Sequence, residues 1–190
     1  MHSSLHRLNT ITAFATSVIL GLLAFIAAIS YPLHKPSGTV QVNKIQVLHG
    51  KARWHMDRRA QEYAKATFDI DADFSSLFNW NTKQVFVSLA AEYVTAKHAV
   101  NQAVIWDRIV RRKQDAHVAI EGEVNKYGFK AIDKSFKNIT DVTFTLKWNA
   151  MPHVGALAYG DEARTGSIKV PARALVDADG KPIKLQTLYY

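Results

Sequence analysis

The order of apolar and polar positions divides this chain into two unlike parts. From Leu8 to Leu33 no acidic or basic side chain occurs. The apolar centre of that run, Ile11 to Ile29, holds about 19 residues and measures roughly 29 Å as a helix. A bilayer's hydrocarbon layer is about 30 Å thick, and only a helix or a closed barrel satisfies its own backbone there. Arg7 and Lys35 bracket the run, and Tyr31 stands where an interfacial aromatic belongs. The pattern predicts a signal-anchor helix over residues 11–31, its ends at Ile11 and Tyr31, behind a short N-terminus of residues 1–10. A cleavable signal peptide is the competing reading, since Ala28-Ile29-Ser30 is a small-x-small triplet. Cleaved signals, however, carry apolar stretches of about 7–15 residues, shorter than this one.

Beyond the run the periodicity is that of strands. Val40 and Val42 alternate with polar residues in Thr39–Leu48, and Ile45 and Val47 continue after a one-residue change of phase. Phe68, Ile70 and Ala72 face one way while Asp69, Asp71 and Asp73 face the other. Val142, Phe144, Leu146 and Trp148 oppose Asp141, Thr143, Thr145 and Lys147 within Ile139–Trp148. Such alternation puts one face on a core and one in water, as in antiparallel sheets. Gln84–Thr95 and Gln102–Arg111 are more apolar and predict strands nearer the centre. Val118–Ile120, Tyr127–Ile132 and Ser167–Val170 are shorter candidates. Helical signals are few: a turn or short helix in Arg53–Tyr63, and a turn in Asp73–Asn81 capped by Asp73. Pro152 and Gly155 mark a loop, and Asp179-Gly180 a turn. Seven or eight such strands imply a mainly β fold: one transmembrane helix, a linker over residues 32–38, and an antiparallel β-sandwich over residues 39–190.

Composition narrows the classes of function. The formal charge is +8, and the chain has no cysteine, which removes disulfides, thiolate metal clusters and cysteine nucleophiles. The basic residues are dispersed among acids, so no nucleic-acid platform is expected, and a solvated basic surface is the simplest account. Anionic headgroups or an acidic partner are the functional alternative. Lys and Arg flanking the span do not place the N-terminus in the cytosol. Asn138-Ile139-Thr140, an N-glycosylation acceptor at Asn138, points instead to a luminal C-terminal part.

The search for catalytic chemistry yields no positive sign. Asp69-Ile70-Asp71-Ala72-Asp73 opens like a calcium loop, but Phe74 and Trp80 occupy the positions that need Gly and Glu. The eight histidines form no H-E-x-x-H, and no serine lies in G-x-S-x-G. No catalytic residue, metal ligand or cofactor is therefore expected. Of the four tryptophans, Trp106 and Trp148 lie in runs patterned for burial. Trp80 and Trp54 are the candidates for a partner interface, and Trp54 for lipid as well.

The ordered strings carry a further signal. Trp80-Asn81-Thr82-Lys83-Gln84, then Asn101-Gln102-Ala103-Val104-Ile105-Trp106-Asp107, then Asn138-Ile139-Thr140, then Trp148-Asn149-Ala150-Met151-Pro152 with His153-Val154-Gly155, occur in this order along nearly the whole chain. The chain thereby resembles the subunit 3 family of the eukaryotic signal peptidase complex. The resemblance implies a type II single-pass protein of the endoplasmic reticulum membrane, with a luminal sandwich and a glycan on Asn138. It implies an accessory role, stabilising and positioning the catalytic serine endopeptidase subunit that removes signal peptides. The partners implied are that subunit, the other subunits of the complex and membrane lipid, near the protein translocation channel. The basic Lys51–Arg59 segment departs from the family pattern. The residues alone leave two other classes open, an autonomous signal-anchored hydrolase and a membrane-tethered sandwich that binds a ligand.

Overall fold

The computed structural model describes residues 3–31, 35–52, 60–173 and 186–188. The apolar run forms one helix, α1, from Ser4 to Ile29. Ser3 caps its start, its hydroxyl accepting the His6 N–H at 3.3 Å. Among the described residues it is the one helix long and apolar enough to cross a membrane, and none of its residues is buried. The hydroxyls along its apolar run bond back onto the helix itself. Thr10 and Ser17 donate to the carbonyls of His6 and Ala13 at 3.0 Å, and Thr16 to that of Thr12 at 2.8 Å. A hydroxyl bonded back onto its own helix adds little cost in lipid. The helix begins ahead of Ile11 because nothing in Leu5–Thr10 breaks it, and it stops just before Tyr31.

Two sheets follow. The first is built from β1 (Ser37–Ala52), β2 (Gln61–Asp73), β5 (His117–Val124) and β9 (Gln186–Leu188), in the order β5-β2-β1-β9. The second is built from β3 (Thr82–Tyr93), β4 (Asn101–Val110), β6 (Asp141–Pro152) and β7 (Ala158–Arg164), in the order β4-β3-β6-β7, with β8 (Ile168–Lys169) also pairing β6. Neighbouring strands are antiparallel except β9, which lies parallel to β1. The inner faces meet through Phe68, Ile70, Val85, Val87, Leu89, Phe144 and Leu146, all essentially without solvent contact. Trp106 joins them, its ring edge-on to Phe68 with centroids 6.3 Å apart.

The predicted change of phase in the first strand is a β-bulge. Val42 pairs with Phe68 and Lys44 with Thr67, leaving Asn43 as the extra residue. The bulge keeps Val40, Val42, Ile45 and Val47 on the core side. A second shift lies between Phe68 and Ile70 in the β2–β5 pairing, and Asp69 serves both. Its carboxylate accepts from Gly122 N–H at 2.6 Å and from Asn43 Nδ2 at 2.8 Å, and those bonds hold its pKa below the usual carboxylate value. Asp71 meets His117 at 2.8 Å, and Asp73 accepts the Ser75 N–H at 2.8 Å. The alternating acids thus stitch strands and a turn together.

Three local expectations need correction. Gln61–Tyr63 belongs to β2 and not to a helix, because Tyr63 and Ala64 are buried in the sheet. Residues 53–59, with Trp54, and the Asp179-Gly180 turn lie outside the described residues. Tyr127–Ile132 forms no strand, only a bridge from Phe129 to Ala64: Phe129 and Ala131 are buried, but the segment makes a β-bridge with a strand at that one point. Ser37 and Gly38 belong to β1, so the link from helix to sandwich is shorter than residues 32–38. β7, rich in charged residues, carried too little alternation to be predicted.

Replacing Phe68 by Ala empties the centre of the sandwich and is predicted to cost about 3–5 kcal/mol, measured by urea unfolding of the full chain in detergent. A second prediction concerns Glu162 on β7. Burial pushes its pKa up, opposed by the Gly38 N–H and by Lys35. Its ionised form is therefore the costly one, so wild-type stability rises as pH falls through the raised pKa. Glu162→Gln should be the more stable protein at neutral pH, and unfolding curves taken at falling pH should converge below about pH 4.

Candidate functional site

The C-terminal end of α1 is locked into the sandwich by side-chain amides. Ser30 is buried, and its N–H and Oγ both donate to the Ile26 carbonyl, at 3.1 and 2.6 Å. The last carbonyls of a helix have no intrahelical partner. Here Asn79 Nδ2 donates to the Ser30 carbonyl at 2.7 Å, and Asn81 Nδ2 donates to Ser30 Oγ at 2.6 Å. The same Asn81 nitrogen donates to the Val154 carbonyl at 2.7 Å, while Asn81 Oδ1 accepts the Val154 N–H at 3.1 Å. The Asn81 carbonyl accepts the His153 N–H at 2.8 Å. One amide thus joins the helix end, the start of β3 and the β6–β7 loop.

Local turn chemistry presents these groups. Asn79 Oδ1 accepts the Asn81 N–H at 2.9 Å, an Asx-turn, and Thr82 Oγ1 accepts the Asn79 N–H at 3.1 Å while donating to the Leu77 carbonyl at 2.8 Å. On the loop side Gly155 has φ +112°, and a Cβ there would lie 2.8 Å from Ala27 Cβ. Only glycine permits both that backbone and that approach. The gap left among Ala27, Ser30, Tyr31, Pro152 and Val154 is about 10 Å³, no more than one water's room. The linker also touches the sandwich, Ser76 Oγ donating to the Lys35 carbonyl at 3.2 Å.

The residues singled out from sequence fall into separate places. Ile11 is exposed on α1, and Tyr31 is half-exposed just past Ser30. Trp80 stands between the two joint asparagines with 66 % of its surface exposed. Asn138 is exposed in a turn closed by the Ile139 N–H on the Phe136 carbonyl at 3.0 Å. It precedes β6, which runs about 37 Å to its joint end, so Asn138 lies at the opposite end of the sandwich. Trp106 is in the core, and Trp148 is half-buried, lying so close on Gly160 that a Cβ there would be 2.5 Å from the indole. The sequence motifs include Asn81 and Gly155 only as letters, and Asn79 stands just ahead of the first of them. Two asparagines around a tryptophan, set against a P-x-x-G loop, were the available signal.

Polar groups elsewhere serve the framework. The hydroxyls of Ser75 and Ser135 donate to the carboxylates of Asp73 and Glu62, at 3.0 and 2.8 Å. Glu92 gathers Lys147 at 3.0 Å and Arg164 at 2.5 Å on the outer face of the second sheet. Asp107 accepts from Lys126 at 2.6 Å and from Tyr127 at 2.8 Å; the Lys126 bond chiefly lowers the pKa of Asp107 and raises that of Lys126. Among the described residues no group of three or more His, Asp or Glu is placed to hold a metal.

The sequence profile of the signal peptidase subunit family matches residues 1–173. The chain belongs to that family. It is 34 % identical over 183 residues to the signal peptidase complex subunit 3 of Yarrowia lipolytica, covering 90 % of this chain and 98 % of the relative. The subunit of the same name from Caenorhabditis briggsae is 37 % identical over 159 residues, 83 % of this chain and 87 % of the relative. The human one is 32 % identical over 177 residues, 90 % and 94 % of the two chains. In this family member the helix-to-sandwich joint is assembled from the W-N-x-K-Q segment and the loop that follows W-N-x-x-P.

Asn81→Ala removes both amide bonds to Val154 and the one to Ser30, and is predicted to cost about 1–3 kcal/mol. Hydrogen exchange should rise at the Val154 amide and stay unchanged in β2. Gly155→Ala should loosen the same joint by pressing on Ala27, with the same exchange signature.

Proposed function

We propose that this chain is a non-catalytic subunit of the signal peptidase complex that holds the catalytic serine endopeptidase subunit over the membrane. The joint at Ser30, Asn79, Asn81 and Val154 is the observation that carries this reading. A rigid joint converts a membrane helix into a height gauge: the sandwich cannot swing away from the bilayer or rise from it. A partner held in the same membrane then meets the sandwich at high effective concentration, so modest contacts suffice. The catalytic subunit would be kept at the depth where a signal peptide's cleavage site emerges, near the translocation channel.

In this reading the chain is a type II single-pass protein of the endoplasmic reticulum membrane. Residues 1–10 are cytosolic, 11–31 cross the bilayer, 32–36 link, and the sandwich that begins at Ser37 is luminal. The position of Asn138 supports that orientation: the acceptor is exposed on a turn at the end remote from the joint, where a glycan meets neither lipid nor the helix. The burial of Ser30 supports an uncleaved anchor, because the Ala28-Ile29-Ser30 triplet is helical up to Ile29 and then locked, not extended and accessible. The chemistry belongs to another subunit, and this chain needs no cofactor. Its polar side chains bind one another as struts.

Affinity capture of the tagged chain in mild detergent should co-recover a membrane serine endopeptidase, and depletion should leave secretory precursors uncleaved. Normal processing after depletion, or cleavage of a signal-peptide substrate by the purified chain alone, overturns the reading. The chain should carry one endoglycosidase-sensitive glycan that Asn138→Gln removes, seen as a gel shift. A chain that acquires processed glycans is instead a sandwich that travels beyond the endoplasmic reticulum.

A further inference from the structure

The joint also determines which end of the sandwich meets the bilayer, and that end has an unusual surface. Gly155 lies against Ala27, in the last turn of α1, so the β6–β7 loop descends to a level where the helix is still apolar. Leu157, two residues on, keeps 45 % of its surface exposed. Trp80, whose neighbours Asn79 and Asn81 both bond to Ser30, is still more open. Among the described residues, two large apolar side chains therefore keep much of their surface open beside the point where the helix leaves the lipid.

A basic patch accompanies them. Val110, the last residue of β4, pairs with Val85, so the Arg111–Lys113 segment that follows emerges at the same end of the sheet as Lys83 at the start of β3. All four side chains are exposed. The acids described at this end are fewer. Asp73 is engaged with Ser75, Glu162 faces Gly38 and Lys35, and Asp115 lies in the turn after Lys113. Indole rings favour the headgroup level, and basic side chains near a bilayer surface favour anionic lipid.

We infer that the joint end of the sandwich is itself a lipid-binding surface, with Trp80 and Leu157 seated in the bilayer interface and Lys83 and Arg111–Lys113 against anionic headgroups. The occupant is lipid and not a protein because this surface is continuous with α1. Helix and loop touch within one turn of the helix end, which leaves no space for a protein layer between sandwich and membrane. The two contacts divide the labour: the helix sets height, and the rim sets tilt. The inference rests on α1 lying in a bilayer and not on which compartment the sandwich faces.

The absence of cysteine allows a direct test with single labels. The full chain is reconstituted in phosphatidylcholine vesicles containing phosphatidylserine and a nitroxide lipid. An environment-sensitive fluorophore is placed by Trp80→Cys, Leu157→Cys or His153→Cys, with Lys97→Cys in the remote β3–β4 loop as reference. Labels at 80, 157 and 153 should be quenched several-fold more than the label at 97. The His153 position repeats the measurement without removing an apolar group. A label at Gln114→Cys should lose quenching several-fold when phosphatidylserine is omitted. Equal quenching at 80, 157 and 97, or indifference of 114 to phosphatidylserine, overturns the inference. So does shielding of 80 and 157 by other subunits in the reconstituted complex. Alkaline extraction separates the two readings: a retained chain with unquenched labels defeats the lipid rim alone, and an extracted chain defeats the anchor and the rim together.

Discussion

A helix that crosses lipid must resolve its own backbone at the point of exit, and the solution adopted here shapes everything beyond it. Ser30 folds its hydroxyl back onto Ile26, and its remaining acceptors are taken by the amides of Asn79 and Asn81. Those amides are already held by an Asx-turn and by the backbone of the β6–β7 loop. The usual flexible tether is thus replaced by a buried polar knot. Each bond in it is modest, but a break would leave several groups unpaired at once, and that asymmetry gives the joint its stiffness.

The sandwich is built to transmit that stiffness. The joint takes residues from the start of β3 and from the loop after β6, which are hydrogen-bonded neighbours at the centre of the second sheet. A load at the helix end is therefore carried by two central strands whose inner faces, through Val85, Val87, Leu89, Phe144 and Leu146, lie in the core. The bulge at Asn43 and the double duty of Asp69 keep the facing sheet in phase, so that its apolar side chains meet that load. A well-packed body on a fixed stem can transmit position from the helix to whatever meets the sandwich.

Much of this was legible beforehand. The span, the mainly β class and the inward residues of β1, β2 and β6 follow from periodicity, because lipid and a two-sided core each demand a regular repeat. Even the bulge was visible as a break of phase between Val42 and Ile45. Less could be read where burial is irregular. Phe129 plugs the core from a loop, β7 mixes charges on both faces, and β9 pairs with a strand far away in sequence.

By itself, then, the sequence determined the solvent of each segment: lipid for the first apolar run, a packed interior for every second residue afterwards, water for the rest. It also carried the family's ordered motifs, though not their purpose. Only the tertiary structure decided that Ser30, Asn81 and Val154 share one amide, that Gly155 presses on Ala27, and that Trp80 and Leu157 flank the same exit point. Hydropathy is a property of each residue in turn, whereas a joint is a coincidence of distant groups within about 3 Å, which exists only once the sheets have set their register.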